Sequence, residues 1–325
     1  TGVPASGQAS AGATDSGTAG SGAAGEDIVI PFSIVGNQVR GRLVRLGSLI
    51  TDIISRHAYP APVSRLLGET VALTALLGSG LKFDGRFILQ ANSDGPVDLL
   101  VAEYSTPGLM RAYAHFDAER LPGATDGGET QLLGTGNLAM TIDQGTRMER
   151  YQGVVPLEGG GLAEAAHVYF RQSEPIPTQL HLGAGEISIP PFDQTRPAWR
   201  AGGIMIQHLP IEGGTAIHQD ADSWNRARHL LDTVRHDELL DPLLAPERLL
   251  YRLFHEDGVR TSPAKPLADR CHCSRERVEI LLKSFEPDDI AGMIEDGRIK
   301  VTCEFCSATY EFEPEPFTGA GSGSN

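Results

Sequence analysis

The chain has 325 residues, with 42 acidic against 27 basic side chains and a net charge of −15 at pH 7. A field of this sign repels phosphate backbones and argues against nucleic acid as a partner. No run approaches the ~20 apolar residues that span a bilayer, and the N-terminus lacks the basic and apolar regions of a signal peptide. We therefore predict a cytoplasmic protein with no membrane partner.

A globular part of this length is expected to divide into domains, because single cores stop growing at about 250–300 residues. The first 25 residues are mostly Gly, Ala, Ser and Thr, and the last residues have a similar composition. Such segments bury too little apolar area to offset the entropy of ordering them. We predict a disordered arm at 1–26 and a disordered tail at 315–325.

The first ordered region, residues 27–222, mixes strand and helix patterns. Short β-branched or alternating runs predict strands, whereas apolar residues spaced three and four apart predict helices. Strands are expected at 27–32, 86–90, 97–102, 138–142 and 152–157, and helices at 49–57, 63–77 and 161–172. This mixture indicates an α/β or α+β N-terminal domain in which helices cover a sheet.

Leucines become frequent from Ser223 onward, which predicts a helical linker over 223–265. Pro242 and Pro246 are expected to break it into short helices, and 258–269 is interpreted as a connector. An apolar stretch of this kind is more often a buried helical pair than a binding site. It becomes a candidate binding surface if the next domain covers it and later releases it. The candidate residues are Leu243, Leu244, Leu249, Leu250, Leu253 and Phe254.

All four cysteines lie in the remaining ordered region, 266–314. Cys271 and Cys273 form a Cys-x-Cys pair, and after 29 residues Cys303 and Cys306 form a Cys-x-x-Cys pair. Two close pairs separated by a small insert supply two thiolates each to a tetrahedral metal ion. In a reducing compartment such pairs are more often metal ligands or redox groups than structural disulfides. The spacing predicts one zinc ion per chain.

The residues around the cysteines suit a small zinc domain. Ser274 is predicted to cap a helix at 275–285, followed by a second short helix that 296–297 ends. Strands at 298–302 and 308–312 would place the second cysteine pair at a hairpin tip, as in a zinc knuckle. The apolar face of the first helix is expected to contain Val278, Leu281, Leu282 and Phe285.

Other sites built on these cysteines are weaker interpretations. An iron–sulfur cluster also uses four thiolates, but its common runs have other spacings. A thioredoxin-type pair would open a helix, whereas a strand follows Cys306. His272 lies between two ligands and is interpreted as solvent-facing, not as a ligand.

The size of the insert favours a switch over a passive zinc ribbon. It is too small for much of a core, so the metal should supply most of its folding free energy, on the order of 10 kcal/mol. Loss of the metal should therefore unfold this domain.

No motif for enzymatic chemistry emerges. The Gly-x-Gly run at 134–136 precedes a predicted strand instead of a helix, so its match to a dinucleotide-binding fingerprint is attributed to chance. His57, His167 and His208 are interpreted as structural. An enzyme with a structural zinc ribbon and a zinc-ribbon nucleic-acid binder remain the alternative functions.

At Cys271-His272-Cys273-Ser274 and Cys303-Glu304-Phe305-Cys306 the sequence resembles the 33 kDa chaperonin family, heat-shock protein 33. The resemblance covers nearly all of the ordered chain. It extends to residues 41–47, 57–60, 81–85, 94–97, 139–145, 151–155, 202–207 and 251–256.

The resemblance implies a redox-regulated, ATP-independent holdase chaperone, not an enzyme. Its reduced, zinc-bound form would be inactive. Hypochlorous acid, or peroxide with heat, would form Cys271–Cys273 and Cys303–Cys306 disulfides and release zinc. Each disulfide would close only a tiny loop and could not replace the metal's link between the segments. The zinc domain and a metastable linker would then unfold, the chain would form homodimers, and unfolding client proteins would be bound.

Overall fold

The computed structural model describes residues 26–35, 38–121, 128–145, 150–173, 176–187, 198–209 and 217–318. Most of the predicted arm and tail lies outside these residues. Two side chains at their inner ends are ordered, because Glu26 pairs with Arg200 and Phe317 packs on Phe312 with ring centroids 5.9 Å apart. None of the described helices is both long and apolar enough to cross a membrane.

Two six-stranded sheets, A and B, form the body of the molecule. Sheet A has the order β10-β1-β2-β9-β8, with β11 also paired to β1, and sheet B has the order β12-β5-β4-β3-β6-β7. The strands are β1 Ile28–Ile34, β2 Val39–Leu46, β3 Arg86–Ser93, β4 Leu99–Ser105, β5 Leu109–His115, β6 Thr135–Asp143, β7 Tyr151–Glu158, β8 Thr178–Ile187, β9 Ala198–His208, β10 Val259–Thr261, β11 Lys265–Pro266 and β12 Ala268–Asp269. The helices of this part are α1 Ser48–Ser55, α2 Ala61–Gly78, α3 Gly128–Leu133 and α4 Gly161–Gln172.

Helix α2 is the centre of the body. It begins after Pro60, has Pro62 in its first turn, and is buried on nearly every side. It packs against β8 and β9 of sheet A and against β3, β4 and β5 of sheet B. The strands and helices predicted for this region are confirmed, and the mixed α/β class is correct.

Within residues 27–222 the sequence did not predict four of the observed strands: β2, β5, β8 and β9. In two of these strands, glycines account for the missing pattern. A Cβ on Gly203 of β9 would lie 2.9 Å from Leu76 Cδ1 of α2, and a Cβ on Gly183 of β8 would lie 2.8 Å from His236 Nδ1. These strands lack side chains where helices approach closely, so they do not show the pattern of branched residues that predicts a strand.

Sheet A is covered on both faces. Alternate residues point to opposite sides of a strand; Val29 and Val44 join the core around α2, whereas Ile30 and Leu43 face the other way. The second face is covered by the predicted linker, which forms α5 Ile217–Leu231, α6 His236–Leu240 and α7 Pro246–Phe254. The run is divided into short helices as predicted: Pro242 lies between α6 and α7, and Pro246 begins α7, where the first turn tolerates a missing N–H.

The predicted connector at 258–269 is more ordered than expected. Its strands β10 and β11 pair with β1 of sheet A, and β12 runs parallel to β5 of sheet B. One short segment therefore extends both sheets before it reaches the cysteines.

The C-terminal unit has its own small core. It contains α8 Arg275–Leu282, α9 Pro287–Gly292, β13 Ile294–Glu295, β14 Arg298–Thr302 and β15 Thr309–Phe312. Val278 and Leu282 of α8 are buried as predicted, but Leu281 is 53% and Phe285 39% exposed, because the helix ends at Leu282 and buries a narrower face. Residues 296–297 do not end a helix. They form the β13–β14 turn with φ values of 50° and 76°, as tight hairpins require.

Candidate metal centre

The four cysteines converge at one point between two loops. Cys271 and Cys273 lie between β12 and α8, where Ser274 caps the helix by accepting a hydrogen bond from the Arg277 N–H at 3.3 Å. Cys303 and Cys306 lie in the turn between β14 and β15. All four Sγ atoms are within 4.8 Å of one another.

We call residues 303–306 the knuckle. Its turn is held by main-chain bonds, from Ser307 N–H to the Cys303 carbonyl at 2.7 Å and from Cys303 N–H to the Ala308 carbonyl at 2.9 Å. Ser307 follows the knuckle with a φ of 58°, in the left-handed region. The predicted hairpin-tip position is confirmed.

The cluster is consistent with a metal site. Four soft sulfur donors in a compact group are the ligand set of a closed tetrahedral centre for zinc or iron–sulfur. The shortest separations, 3.7 Å from Cys271 to Cys303 and 3.3 Å from Cys273 to Cys306, cross between the two segments. The two segments therefore meet through their sulfurs, as a shared ion requires.

The thiols differ in acidity. Burial raises the pKa of Cys271 and, more strongly, that of Cys306. Burial acts the same way on Cys273, but hydrogen bonds from Tyr310 and Cys306 outweigh it and lower its pKa to about 7. The Tyr310 hydroxyl donates to Cys273 Sγ at 3.2 Å. A cation held by these sulfurs would favour the thiolate form of its ligands.

His272 was predicted to face solvent, but its side chain is only 27% exposed and contacts the body. Its Nε2 lies 3.4 Å from Glu103 Oε1 and 3.3 Å from Ser105 Oγ, both on β4 of the body. Glu103 is only 3% exposed and pairs with Arg111 at 2.5 Å. The segment that carries the first cysteine pair therefore seals a buried ion pair of sheet B.

The knuckle also rests on the body. The Phe305 ring lies 4.1 Å from the guanidinium carbon of Arg111 and 4.8 Å from the ring centroid of Tyr113, both on β5. Ser307 Oγ lies 3.4 Å from His57 Nδ1 after α1. Sequence reasoning missed these contacts, since each joins positions far apart in the chain with no shared motif.

Nearby, Arg56 forms an ion pair with Asp269 of β12. This pair ties the end of the connector to the loop after α1, directly before the first cysteine.

The candidate binding leucines lie elsewhere. Leu249, Leu250, Leu253 and Phe254 are buried against β1, β2 and β9, Leu244 is partly buried there, and Leu243 is 82% exposed. The buried leucines therefore pack against sheet A. From the sequence, the cysteine domain was expected to cover them.

Residues 27–313, from the first strand to the last, match one family model, "Hsp33 protein". A 33 kDa chaperonin of Caulobacter vibrioides is 46% identical over 295 residues, which cover 89% of this chain and 95% of that protein. The chain belongs to the Hsp33 family. Another 33 kDa chaperonin, of Ectopseudomonas mendocina, is 38% identical over 87% of this chain and 92% of that protein.

The Hsp33 fold is also found by structure. The crystal structure of the Thermotoga maritima 33 kDa chaperonin superposes with a TM-score of 0.73 at 24% identity, covering 89% of this chain and 96% of that one. Membership of the Hsp33 family, together with the four-cysteine cluster, identifies the chain as a redox-regulated holdase chaperone that is not an enzyme.

Proposed function

We propose that the reduced chain binds one zinc ion through Cys271, Cys273, Cys303 and Cys306, and that this ion holds the chaperone inactive. The observation that carries the proposal is the meeting of two segments at one four-sulfur cluster. The C-terminal core is small, so zinc would supply most of its folding free energy. Zinc here is structural: it links the two segments and keeps the knuckle on the body.

Oxidation reverses this link. Two equivalents of a two-electron oxidant, such as hypochlorous acid or a peroxide, remove four electrons from the four zinc-bound thiolates. Two S–S bonds form and Zn²⁺ leaves. We assign the bonds to Cys271–Cys273 and Cys303–Cys306, as the family resemblance implies. The distances in the cluster do not select this pairing, since the closest sulfurs belong to different segments.

We propose that zinc loss destabilises the linker by way of the connector, residues 258–269. Arg270 N–H donates to the Met110 carbonyl at 2.9 Å immediately before Cys271, and β10 and β11 lie between this point and α7. An unfolded C-terminal unit no longer anchors these short strands. Release of α6 and α7 would uncover Leu244, Leu249, Leu250, Leu253 and Phe254 together with the sheet residues beneath them, next to Leu243, which is already exposed.

These surfaces would bind unfolding client proteins. The exposed area is apolar on both sides, because Ile30, Phe32, Leu43 and Ile204 of sheet A face Leu249 and Phe254 of the linker. Large contiguous apolar surfaces mark protein-binding sites. We further propose that the oxidised chain forms a homodimer and works in the cytoplasm.

We propose three functional parts: a chaperone domain at 27–222, a metastable linker at 223–265 and a zinc switch domain at 266–314. A disordered arm at 1–26 and a disordered tail at 315–325 flank them.

The test follows zinc release and light scattering in one sample. Reduced protein is titrated with peroxide at 43 °C beside a heat-denaturing client protein, with a chromogenic chelator reporting zinc. Suppression of aggregation should rise with zinc release. Equal suppression by the reduced, zinc-loaded chain would overturn redox control.

A further inference from the structure

The outer face of sheet B differs from its inner face. On β5, Met110 and Ala112 point inward to α2, whereas Arg111 and Tyr113 point outward. The strand pairings place Tyr113, Val101, Gln90, Ala139 and Val154 in one row across the five strands from β5 to β7. Val154 at the far end is 53% exposed. No described helix covers this row. Its apolar side chains therefore point away from the core of the body, on the outer face of sheet B.

Among the described residues, the C-terminal unit occupies this face at its β4–β5 end, where His272 contacts β4 and the knuckle contacts β5. The Arg111 guanidinium lies over the Phe305 ring, Tyr113 meets this ring edge-on at an interplanar angle of 74°, and the Tyr113 hydroxyl is hydrogen-bonded to Glu304. We call the position formed by Arg111 and Tyr113 the Phe305 site. Any Phe, Tyr or Trp side chain could replace Phe305 here. Its ring would lie under the Arg111 guanidinium and meet the Tyr113 ring edge-on.

The Arg111 part of the site does not depend on the knuckle for its shape. Arg111 donates to Glu103 Oε2 through Nε at 3.2 Å and Nη2 at 2.5 Å, and both residues belong to the body. This pair fixes the guanidinium plane and neutralises its charge, while its face stays open to a ring. A departing knuckle therefore leaves behind a preformed aromatic-binding position.

We propose that the Phe305 site is a second client-binding position, specific for aromatic side chains in extended segments, and that Phe305 occupies it in the zinc-bound form as a built-in competitor. The inference rests on the proposed function, since oxidation must remove the knuckle. It concerns sheet B, whereas the linker-covered surface concerns sheet A. The adjoining row through Val101 and Ala139 would receive neighbouring residues of the same client segment.

The probe is a fluorescein-labelled peptide with the sequence of residues 300–309, carrying Cys303→Ser and Cys306→Ser. Fluorescence anisotropy measures its binding to the full-length oxidised chain. We expect binding to the oxidised form and at least about tenfold weaker binding to the reduced, zinc-loaded form. A peptide that also carries Phe305→Ala should bind about tenfold more weakly to the oxidised chain.

Two variants of the full chain locate the position. Arg111→Lys keeps the charge beside Glu103 but loses the planar stack, and Tyr113→Ser removes the aromatic edge. Each should weaken peptide binding about fivefold. Their matched controls are Arg65→Lys, exposed on α2, and Tyr151→Ser, 45% exposed and directed to the other face of sheet B. Both controls should bind as the wild type does.

Equal binding of the peptides with and without Phe305→Ala, or unchanged binding by both site variants, would overturn the proposal. The same oxidised samples are assayed for suppression of client aggregation. Suppression without Phe-dependent peptide binding refutes only the Phe305 site. Absence of suppression by the oxidised wild type refutes the proposed function itself.

Discussion

Arg45 of β2 donates a 2.7 Å hydrogen bond from Nη1 to the main-chain oxygen of Asp241, at the end of α6. Its Nη2 also reaches the carbonyls of Glu238 at 3.0 Å and Leu244 at 3.2 Å. Burial lowers the pKa of this arginine, which is 3% exposed, but its charge meets the carbonyl end of a helix. One body side chain thus holds the turn between two linker helices.

Arg45→Met should free this turn without touching the zinc site. It removes three hydrogen bonds and leaves carbonyls unpaired beneath the linker, at about 1–3 kcal/mol for each buried group. We expect faster protease cleavage between 232 and 246 in the reduced chain, with zinc content unchanged. Arg40→Met, exposed on the same strand, is the control. Equal cleavage of both variants would contradict this role.

Leu249 and Leu243 provide a matched test of linker packing. Leu249→Ser places a hydroxyl and a cavity in the interface with sheet A, which should cost about 3–5 kcal/mol and give partial chaperone activity in the reduced, zinc-bound form. Leu243 is 82% exposed, so Leu243→Ser should change stability by less than about 0.5 kcal/mol. The measurements are urea unfolding and aggregation suppression. Identical behaviour of the two variants would refute linker packing as the restraint.

Cys303→Ser and Cys306→Ser should each loosen the C-terminal unit without oxidant. The wild type should release one equivalent of zinc to a thiol reagent, and each variant much less, because a missing thiolate weakens metal binding. Limited proteolysis should then cut first between 258 and 312, with the body intact. Ser307→Ala, beside the cluster but no ligand, should retain zinc. Cleavage spread evenly over the chain would exclude a separate switch.

Peptide mapping of the oxidised chain tests the disulfide assignment. Mass spectrometry under non-reducing conditions should find Cys271 linked to Cys273 and Cys303 linked to Cys306. A dominant Cys271–Cys303 or Cys273–Cys306 bond would keep the segments tied, and the knuckle could then stay in place after zinc leaves.

Acid should loosen the knuckle through His57. Burial lowers the pKa of His57 below its ordinary 6.5, with Arg56 acting in the same direction and contacts of Phe305 and Glu304 opposing them. On balance the folded surroundings of His57 favour the neutral ring, so the packing around it is unaffected above about pH 7.5 and weakens as the pH falls below 6.5. Hydrogen exchange at 303–308, corrected for its intrinsic pH dependence, should rise more from pH 7.5 to 5.5 in the wild type than in His57→Gln. Equal increases would show that His57 is not responsible.

The cysteine cluster could be predicted from sequence because a metal ion held by two close pairs requires a characteristic local spacing. The burial of the α7 leucines could also be predicted, since a helix buries residues three and four apart. The surface that they pack against, sheet A, could not be predicted, because Ile30 and Leu43 alternate with residues that face the other core. A strand buried on both faces does not reveal which neighbour covers which side.

The docking contacts of the knuckle lie further beyond sequence reasoning. Ser307 and His57 are 250 positions apart, and nothing in either segment marks the other as its partner. Arg111 lies on β5, a strand that the sequence did not predict, and only the fold brings Glu103 and Phe305 to its side chain.

The connector strands have one more consequence. β10 and β11 cover the free side of β1, and β12 covers the free side of β5, so one short segment closes an outer edge of each sheet. Withdrawal of that segment would present two rows of unpaired main-chain N–H and C=O groups at once. Backbone groups carry no sequence code, so such edges accept an extended strand from any polypeptide. A protein that must recognise chains of every sequence would thereby gain binding capacity that does not depend on side chains.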